Sequence, residues 1–212
     1  MGDTRQRLVD GTIETIRAQG IAAVSARAIA ATAGVNQALV FYHFGSVDDL
    51  LAQACQVTTE CQVALFRERF AEVDSFAGLL ALGRQLHEEE SAQGNVTVLA
   101  QMLAGAQRDA KLAAATGSAV RLWVTEIEHT LRRLLAGSPL ADVLDPADLA
   151  PTVAAAFVGM ELFEPVDPEA TGSALAALDQ LAKIVEALDE LGPLARRLVR
   201  AKLRNTTKKE RA

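Results

Sequence analysis

Residues 25–50 read SARAIAATAGVNQALVFYHFGSVDDL, and the spacing of their apolar side chains decides the architecture. Ile29, Ala30, Ala33, Val35, Val40 and Phe44 recur at helical intervals, interrupted once by Gly34. The pattern suits two short helices joined by a tight turn, with glycine where the first helix must stop. Ser25 is suited to cap the first helix and Asn36 the second. Each side-chain oxygen can accept from a backbone amide that a helix start leaves without a partner. The second helix then turns Gln37, Leu39, Phe41, Tyr42 and His43 outward. A short helix with hydrogen-bonding and aromatic groups at its N-terminal end fits the major groove of DNA.

The run Ile29-Ala30, Ala33-Gly34-Val35, Tyr42-His43-Phe44-Gly45-Ser46 and Leu50 closely resembles the N-terminal helix-turn-helix of the TetR family of bacterial regulators. The rest of the chain is similar to that family in architecture alone. The resemblance implies an all-α chain with three parts. These are a three-helix DNA-binding domain over residues 1–46, a larger helical ligand-binding and dimerisation domain over 47–204, and a basic tail, 205–212, whose composition predicts disorder.

Working outward, residues 4–19 carry Leu8, Val9, Thr12, Ile13 and Ile16 at helical spacing, with Gly20 ending the helix. Ser46-Val47-Asp48-Asp49 caps a fourth helix, its acidic residues placed in the first turn where the dipole favours them. That helix runs through Leu50, Ala54, Val57 and Cys61 towards Phe66 and Phe70, long enough to serve as a lever. Further helices are predicted at about 75–90, 95–106, 110–136, 146–164, 172–190 and 193–204. Gly94, Gly137-Ser138-Pro139, Asp145-Pro146 and Pro165 to Pro168 mark the breaks. Asp145-Pro146 reads as an N-cap followed by proline at the first helical position.

Composition supports closely packed helices, since half of the 212 residues are hydrophobic but only 4% are aromatic. No apolar leader and no uninterrupted apolar stretch of membrane-spanning length is present, so a cytoplasmic chain without membrane contact is expected. Cys55 and Cys61 lie six apart on one predicted helix and face roughly 120° apart, which excludes a disulfide between them. They read as two small buried thiols in a reducing compartment, with a redox sensor as the alternative.

Charge is uneven. Residues 1–50 hold four basic groups against five acidic, residues 193–212 hold eight against one, and the middle carries a net −12 of the chain's −6. A head without net positive charge must place its few cations well, because phosphate neutralisation supplies much of DNA affinity. Arg5, Arg7 and Arg27 can all lie on the DNA side. The basic residues from Arg196 to Arg211 read as a solvated helix end, with an auxiliary DNA contact as the alternative.

Gln37 is the best base reader, because a carboxamide can pair bidentately with adenine. The resemblance implies a DNA-facing set of Thr4, Arg5, Ser25, Arg27, Asn36, Gln37, Ala38, Leu39, Phe41, Tyr42, His43 and Ser46. Ala38 permits close approach, and Leu39 stands where the family often has threonine. Tyr42 and His43 match its phosphate-gripping aromatic-histidine pair. Phe41 lacks a common tyrosine hydroxyl, and Val47 replaces a common phosphate-binding lysine, so a reduced salt dependence is expected.

The resemblance also implies a small-molecule pocket in the body, with Phe66, Phe70, His87, Leu99, Met102, Trp123, Ile127, Phe157 and Glu161 as its bulky or charged candidates. Each bulky one on its own reads more often as plain core. Glu161 and Glu164 interrupt the apolar run AFVGMELFEP, and an inward carboxylate there needs a partner or a cationic ligand, or else a place at a dimer seam. Two adjacent amphipathic helices near the C-terminus suit a homodimer interface through Val153, Phe157, Leu175, Leu178, Leu181 and Val185, with intrachain core as the alternative.

Catalysis finds no support. His43, His87 and His129 lack metal-ligand spacing, and no Cys-x-x-Cys, glycine-rich phosphate loop or Gly-x-Ser-x-Gly is present. No cofactor is expected. The implied function is a dimeric regulator, repressor by family habit, that binds palindromic operator DNA and is released by a small apolar effector. A ligand-independent DNA binder and a helical small-molecule carrier with a vestigial head are the alternatives.

Overall fold

The computed structural model describes the backbone of residues 2–136 and 138–210, and side chains to residue 202. Gly137 of the predicted break and Arg211 and Ala212 of the predicted tail lie outside the described residues. The described chain is all-α. Ten helices run in order as α1 Gly2–Gln19, α2 Ala26–Ala33, α3 Ala38–Phe44, α4 Val47–Glu72, α5 Phe76–Ala92, α6 Asn95–Ala106, α7 Ala110–Leu135, α8 Pro146–Phe163, α9 Pro168–Asp189 and α10 Pro193–Glu210. Short 3₁₀ turns at Ile21–Ala23 and Pro139–Asp142 were not anticipated from the periodicity.

Two boundaries differ from the sequence expectation, and for α9 the reason is identifiable. α9 begins at Pro168 and not near 172, because Asp167 accepts from the Ala170 amide at 3.0 Å and proline occupies the first turn. α10 continues past 204 to Glu210, which corrects the expectation of a disordered tail over the described residues 205–210. At Asp145-Pro146 the anticipated cap is present, with the Asp145 carboxylate accepting from the Ala147 amide at 2.9 Å.

The chain packs as two compact units. The first comprises Met1–Leu65 with His87–Leu122, the second Phe66–Leu86 with Trp123–Ala212. Residues 1–46 lie wholly in the first.

In the first unit, Leu8, Ile29, Val40 and Leu50 are completely buried and bind α1, α2, α3 and the start of α4 around one core. Each such side chain contributes about 1.5–3 kcal/mol by leaving water. Thr12 and Thr15 are also fully buried, and their hydroxyls donate to the carbonyls of Leu8 and Gly11 one turn back. A neighbouring cluster joins Ile16, Leu51, Met102 and Leu112. There the Ile21 amide donates to Gln101 Oε1 at 3.3 Å, fastening the 3₁₀ turn to α6.

In the second unit the core is Phe66, Phe70, Leu82, Leu86, Ile127, Leu131, Ala150 and Ala154, with Trp123, Val153 and Phe157 packed against it. Arg133 donates to the carbonyls of Phe70, Ala71 and Val73, satisfying the end of α4. Ser138 donates to Asp189 at 2.6 Å, and Arg84 pairs with Asp179 at 3.1 Å.

Cys55 is half-buried, but Cys61 is exposed, which corrects the reading of two buried thiols. Both thiols are free, and burial pushes the Cys55 thiol up to about 11. No described helix is long and apolar enough to cross a membrane.

Candidate nucleic-acid interface

α2 and α3 form the site, and their ends are fixed by the residues the sequence singled out. Ser25 accepts from the Ala28 amide at 3.2 Å and starts α2. Gly34 ends it at φ 63°, a left-handed conformation that favours glycine. The Gly34 amide returns to Ala31 O and that of Val35 to Ala30 O, which closes the turn from within.

Asn36 caps α3 as expected, but one residue early. Its Oδ1 accepts from the Ala38 amide at 2.8 Å, and the regular helix begins at Ala38. Ser46 caps α4, accepting from the Asp49 amide at 3.0 Å and donating to the Asp49 carboxylate at 2.6 Å. The hydroxyls of Ser25 and Ser46 are therefore committed to helix starts.

Only Val40 of α3 is fully buried. Around it Gln37, Ala38, Phe41 and Tyr42 are exposed, Tyr42 to 72%. A large apolar-bodied side chain that far out of the core lacks a packing role and has a polar tip to offer. His43 stacks edge-on against Tyr42, with ring centroids 4.9 Å apart. Leu39 is a correction to the outward set: it is half-buried and packs against the head core. Val47, where the resemblance implies a lysine, also packs against that core.

The cations are distributed unevenly. Arg27 is exposed on α2. Arg5 donates to Gln53 Oε1 at 2.6 Å and lies over the Phe44 ring at 5.2 Å, tying α1 to the ends of α3 and α4. Thr4 beside it is half-buried. Arg7 is exposed too, but its guanidinium is engaged within the head itself. It donates to Ala33 O at 2.7 Å and Gly34 O at 3.0 Å. The signal for it was Arg7, Gly11 and Thr15 at successive turns of one α1 face, which carries two polar residues and a glycine towards α2.

The remaining candidates divide between the units. Phe66, Phe70, Trp123, Ile127 and Phe157 gather in the second, where Trp123 meets Phe66 at 5.9 Å and Phe70 at 6.3 Å between centroids. Glu161 is buried in that unit. Met102 is core in the first unit, which also holds half-buried Leu99 and His87, the latter 3.4 Å from the Ser91 hydroxyl. Of the expected dimer residues, Val153 and Phe157 pack on the second core, Leu175, Leu178 and Val185 are half-buried, and Leu181 is 57% exposed. Ile184 is equally exposed, and Phe163 at the end of α8 is exposed as well.

The head has recognisable relatives. Residues 8–54 match the profile of bacterial regulatory proteins of the tetR family. The match places the head of the chain, residues 8–54, in the TetR family. HTH-type transcriptional regulators of Mycobacterium tuberculosis and Mycobacterium bovis are 26% identical to this chain over 132 residues, covering 62% of it and 68% of each relative. Its fold is shared with a TetR-family transcriptional regulator from Rhodococcus sp. (TM-score 0.71, 21% identity, 87% of this chain and 99% of that one). It is shared as well with a transcriptional regulator from Streptomyces coelicolor A3(2) (TM-score 0.66, 24% identity, 84% and 98%). The head is thus that of a DNA-binding transcription regulator, in keeping with relatives described as HTH-type transcriptional regulators.

Proposed function

We propose that the chain is a homodimeric repressor that binds a near-palindromic operator through α3 and leaves it when a small apolar molecule binds. The observation that carries this reading is the exposure of Gln37, Ala38 and Tyr42 around the single buried anchor Val40. Gln37 reads a base edge, Ala38 admits close approach, and Tyr42, His43 and Arg27 hold phosphates. One short helix reads too few bases. Two copies related by a two-fold axis, with half-sites roughly 34–36 Å apart, supply the rest. The apolar face of α8 and α9, with Leu181 and Ile184 half or more exposed, is the surface that pairs the copies.

The effector would sit among Phe66, Phe70, Trp123 and Phe157 in the second unit, where aromatic surface is concentrated. Release is then a linkage effect. A molecule that binds the DNA-incompetent dimer more tightly weakens DNA binding by the same factor, and about 1–3 kcal/mol of coupling makes a useful switch.

The test is selection of bound sequences from random duplex DNA by the purified protein at near-physiological salt. A recovered palindrome supports operator binding and gives the half-site spacing. Enrichment of no sequence rejects operator recognition and leaves a helical small-molecule carrier as the better reading.

A further inference from the structure

We infer that Arg7 is a positioning residue for DNA recognition: from α1 it locks the turn between α2 and α3, and so sets where α3 points. The inference rests on the operator-binding role of α3 proposed above. The last carbonyls of a helix have no intrahelical donor and carry the negative end of its dipole. In α2 those of Ala30 and Ala31 are used by the turn's own amides, and those of Ala33 and Gly34 by the Arg7 guanidinium, at 2.7 and 3.0 Å. A charged donor makes the stronger kind of hydrogen bond, and one guanidinium nitrogen spanning two successive carbonyls fixes the direction of the turn.

The surroundings are built for this contact. A β-carbon on Gly34 would stand 3.1 Å from Arg7 Nη2, so glycine at 34 serves the approach of the guanidinium as well as the backbone angle. On the same α1 face, Gly11 admits Ala33, and Thr15 Oγ1 lies 3.1 Å from Thr32 Oγ1. These three contacts seat the C-terminal half of α2. Four residues separate α2 from α3, which is held in the core by Val40 as its one fully buried side chain. Leu39 and Phe44 are only partly buried beside that anchor, so the turn that precedes the helix helps to set its tilt. Loosening the turn at Gly34 therefore misaims Gln37 and Tyr42 without removing any group that faces DNA.

The experiment compares the native protein with Arg7→Ala and Arg7→Lys, both at an exposed position where folding is checked by circular dichroism. Binding is measured across a salt series to the sequence the native protein selects and to a random duplex of equal length. Backbone amide exchange is followed without DNA. Arg7→Ala should lower the ratio of selected to random affinity about tenfold or more, the scale of one lost bidentate base contact. It should leave the salt slope on random duplex unchanged and speed exchange at residues 34–44. Arg7→Lys, which retains a donor, should recover part of the ratio. Equal loss on both duplexes with a reduced salt slope would make Arg7 a phosphate contact and overturn the inference. An unchanged ratio would overturn it too. Selection of no sequence by the native protein would defeat the operator reading itself. Unchanged exchange at residues 34–44 is the separate result that removes the lock.

Discussion

Gly11 of α1 and Ala33 of α2 approach so closely that a β-carbon on Gly11 would stand 2.9 Å from the Ala33 Cβ and 3.1 Å from the Ala33 nitrogen. This contact sets the crossing of the two helices. It also reverses an ordinary rule. Glycine inside a helix is usually about 1 kcal/mol worse than alanine, so Gly11→Ala would be stabilising on propensity alone. Here the methyl group meets backbone and cannot be accommodated by a side-chain rotation. A net loss of about 1–3 kcal/mol is expected, the range for overpacking. Thermal unfolding followed by circular dichroism reads it directly. A raised melting temperature would show that the crossing yields at little cost.

Gln37→Ala separates base reading from general attraction. A bidentate amide–adenine pair is worth about 1–3 kcal/mol of discrimination. Affinity for the selected operator should fall by that amount, and preference should relax at one base position in each half-site. Tyr42→Phe removes a hydroxyl from a side chain that is 72% exposed and should weaken selected and random duplexes alike. If Gln37→Ala weakened both duplexes equally, the base-reading role assigned to Gln37 would be withdrawn.

The head was legible because its devices are local. Ser25, Gly34, Asn36 and Ser46 each act within three or four residues of themselves, so sequence spacing was enough to place them. What sequence did not reveal was set by contacts at long range. Arg7 reads as a candidate for the DNA side; its spacing with Gly11 and Thr15 marks one face of α1, but that it reaches Ala33, 26 residues away, follows from the fold and not from local spacing. Leu39 has the spacing of an outward residue, yet the head core draws its apolar surface partly inside. In the body, spacing identifies apolar faces but does not distinguish core from pocket. Phe66, Trp123 and Met102 are alike as bulky apolar residues on helical faces, although Met102 belongs to a different cluster. The start of α9 was missed for a different reason. Asp167-Pro168 carries the same capping signal as Asp145-Pro146, but it was absorbed into a proline-rich break.

The two thiols should respond differently to alkylation. Cys61 is exposed, whereas Cys55 is half-buried with its thiol pushed up to about 11. Mild treatment with iodoacetamide at pH 8 should modify Cys61 first, because the thiolate is the nucleophile and Cys55 holds very little of it. Peptide mapping checks the order. The same shift has a consequence for stability. Between about pH 9 and 11 the unfolded chain loses the Cys55 proton while the folded chain keeps it, so the folded state binds more protons and stability falls as pH rises. The slope due to this group is at most about 1.4 kcal/mol per pH unit. Cys55→Ala should flatten the denaturation midpoint across that window by this component. Preferential labelling of Cys55 at pH 8 would contradict its burial.

Leu181 and Ile184 stand three apart on α9, each 57% exposed, so they form one side of the helix and not two isolated surface residues. Changing them costs the isolated protomer little, since neither fills its core. In a two-fold interface every substitution is introduced twice and meets its own copy or a near neighbour. The double change Leu181→Asp with Ile184→Lys should therefore leave helical content and melting of the protomer close to native. It should weaken dimerisation by about 2 kcal/mol or more, the scale of interface anchors. Sedimentation equilibrium gives the association constant. Operator binding should weaken in parallel, because a single head contacts one half-site, while affinity per protomer for random duplex changes less. A variant that remains dimeric at native concentration would move the interface away from this face of α9, and Phe163 near the end of α8 would be the next position to alter.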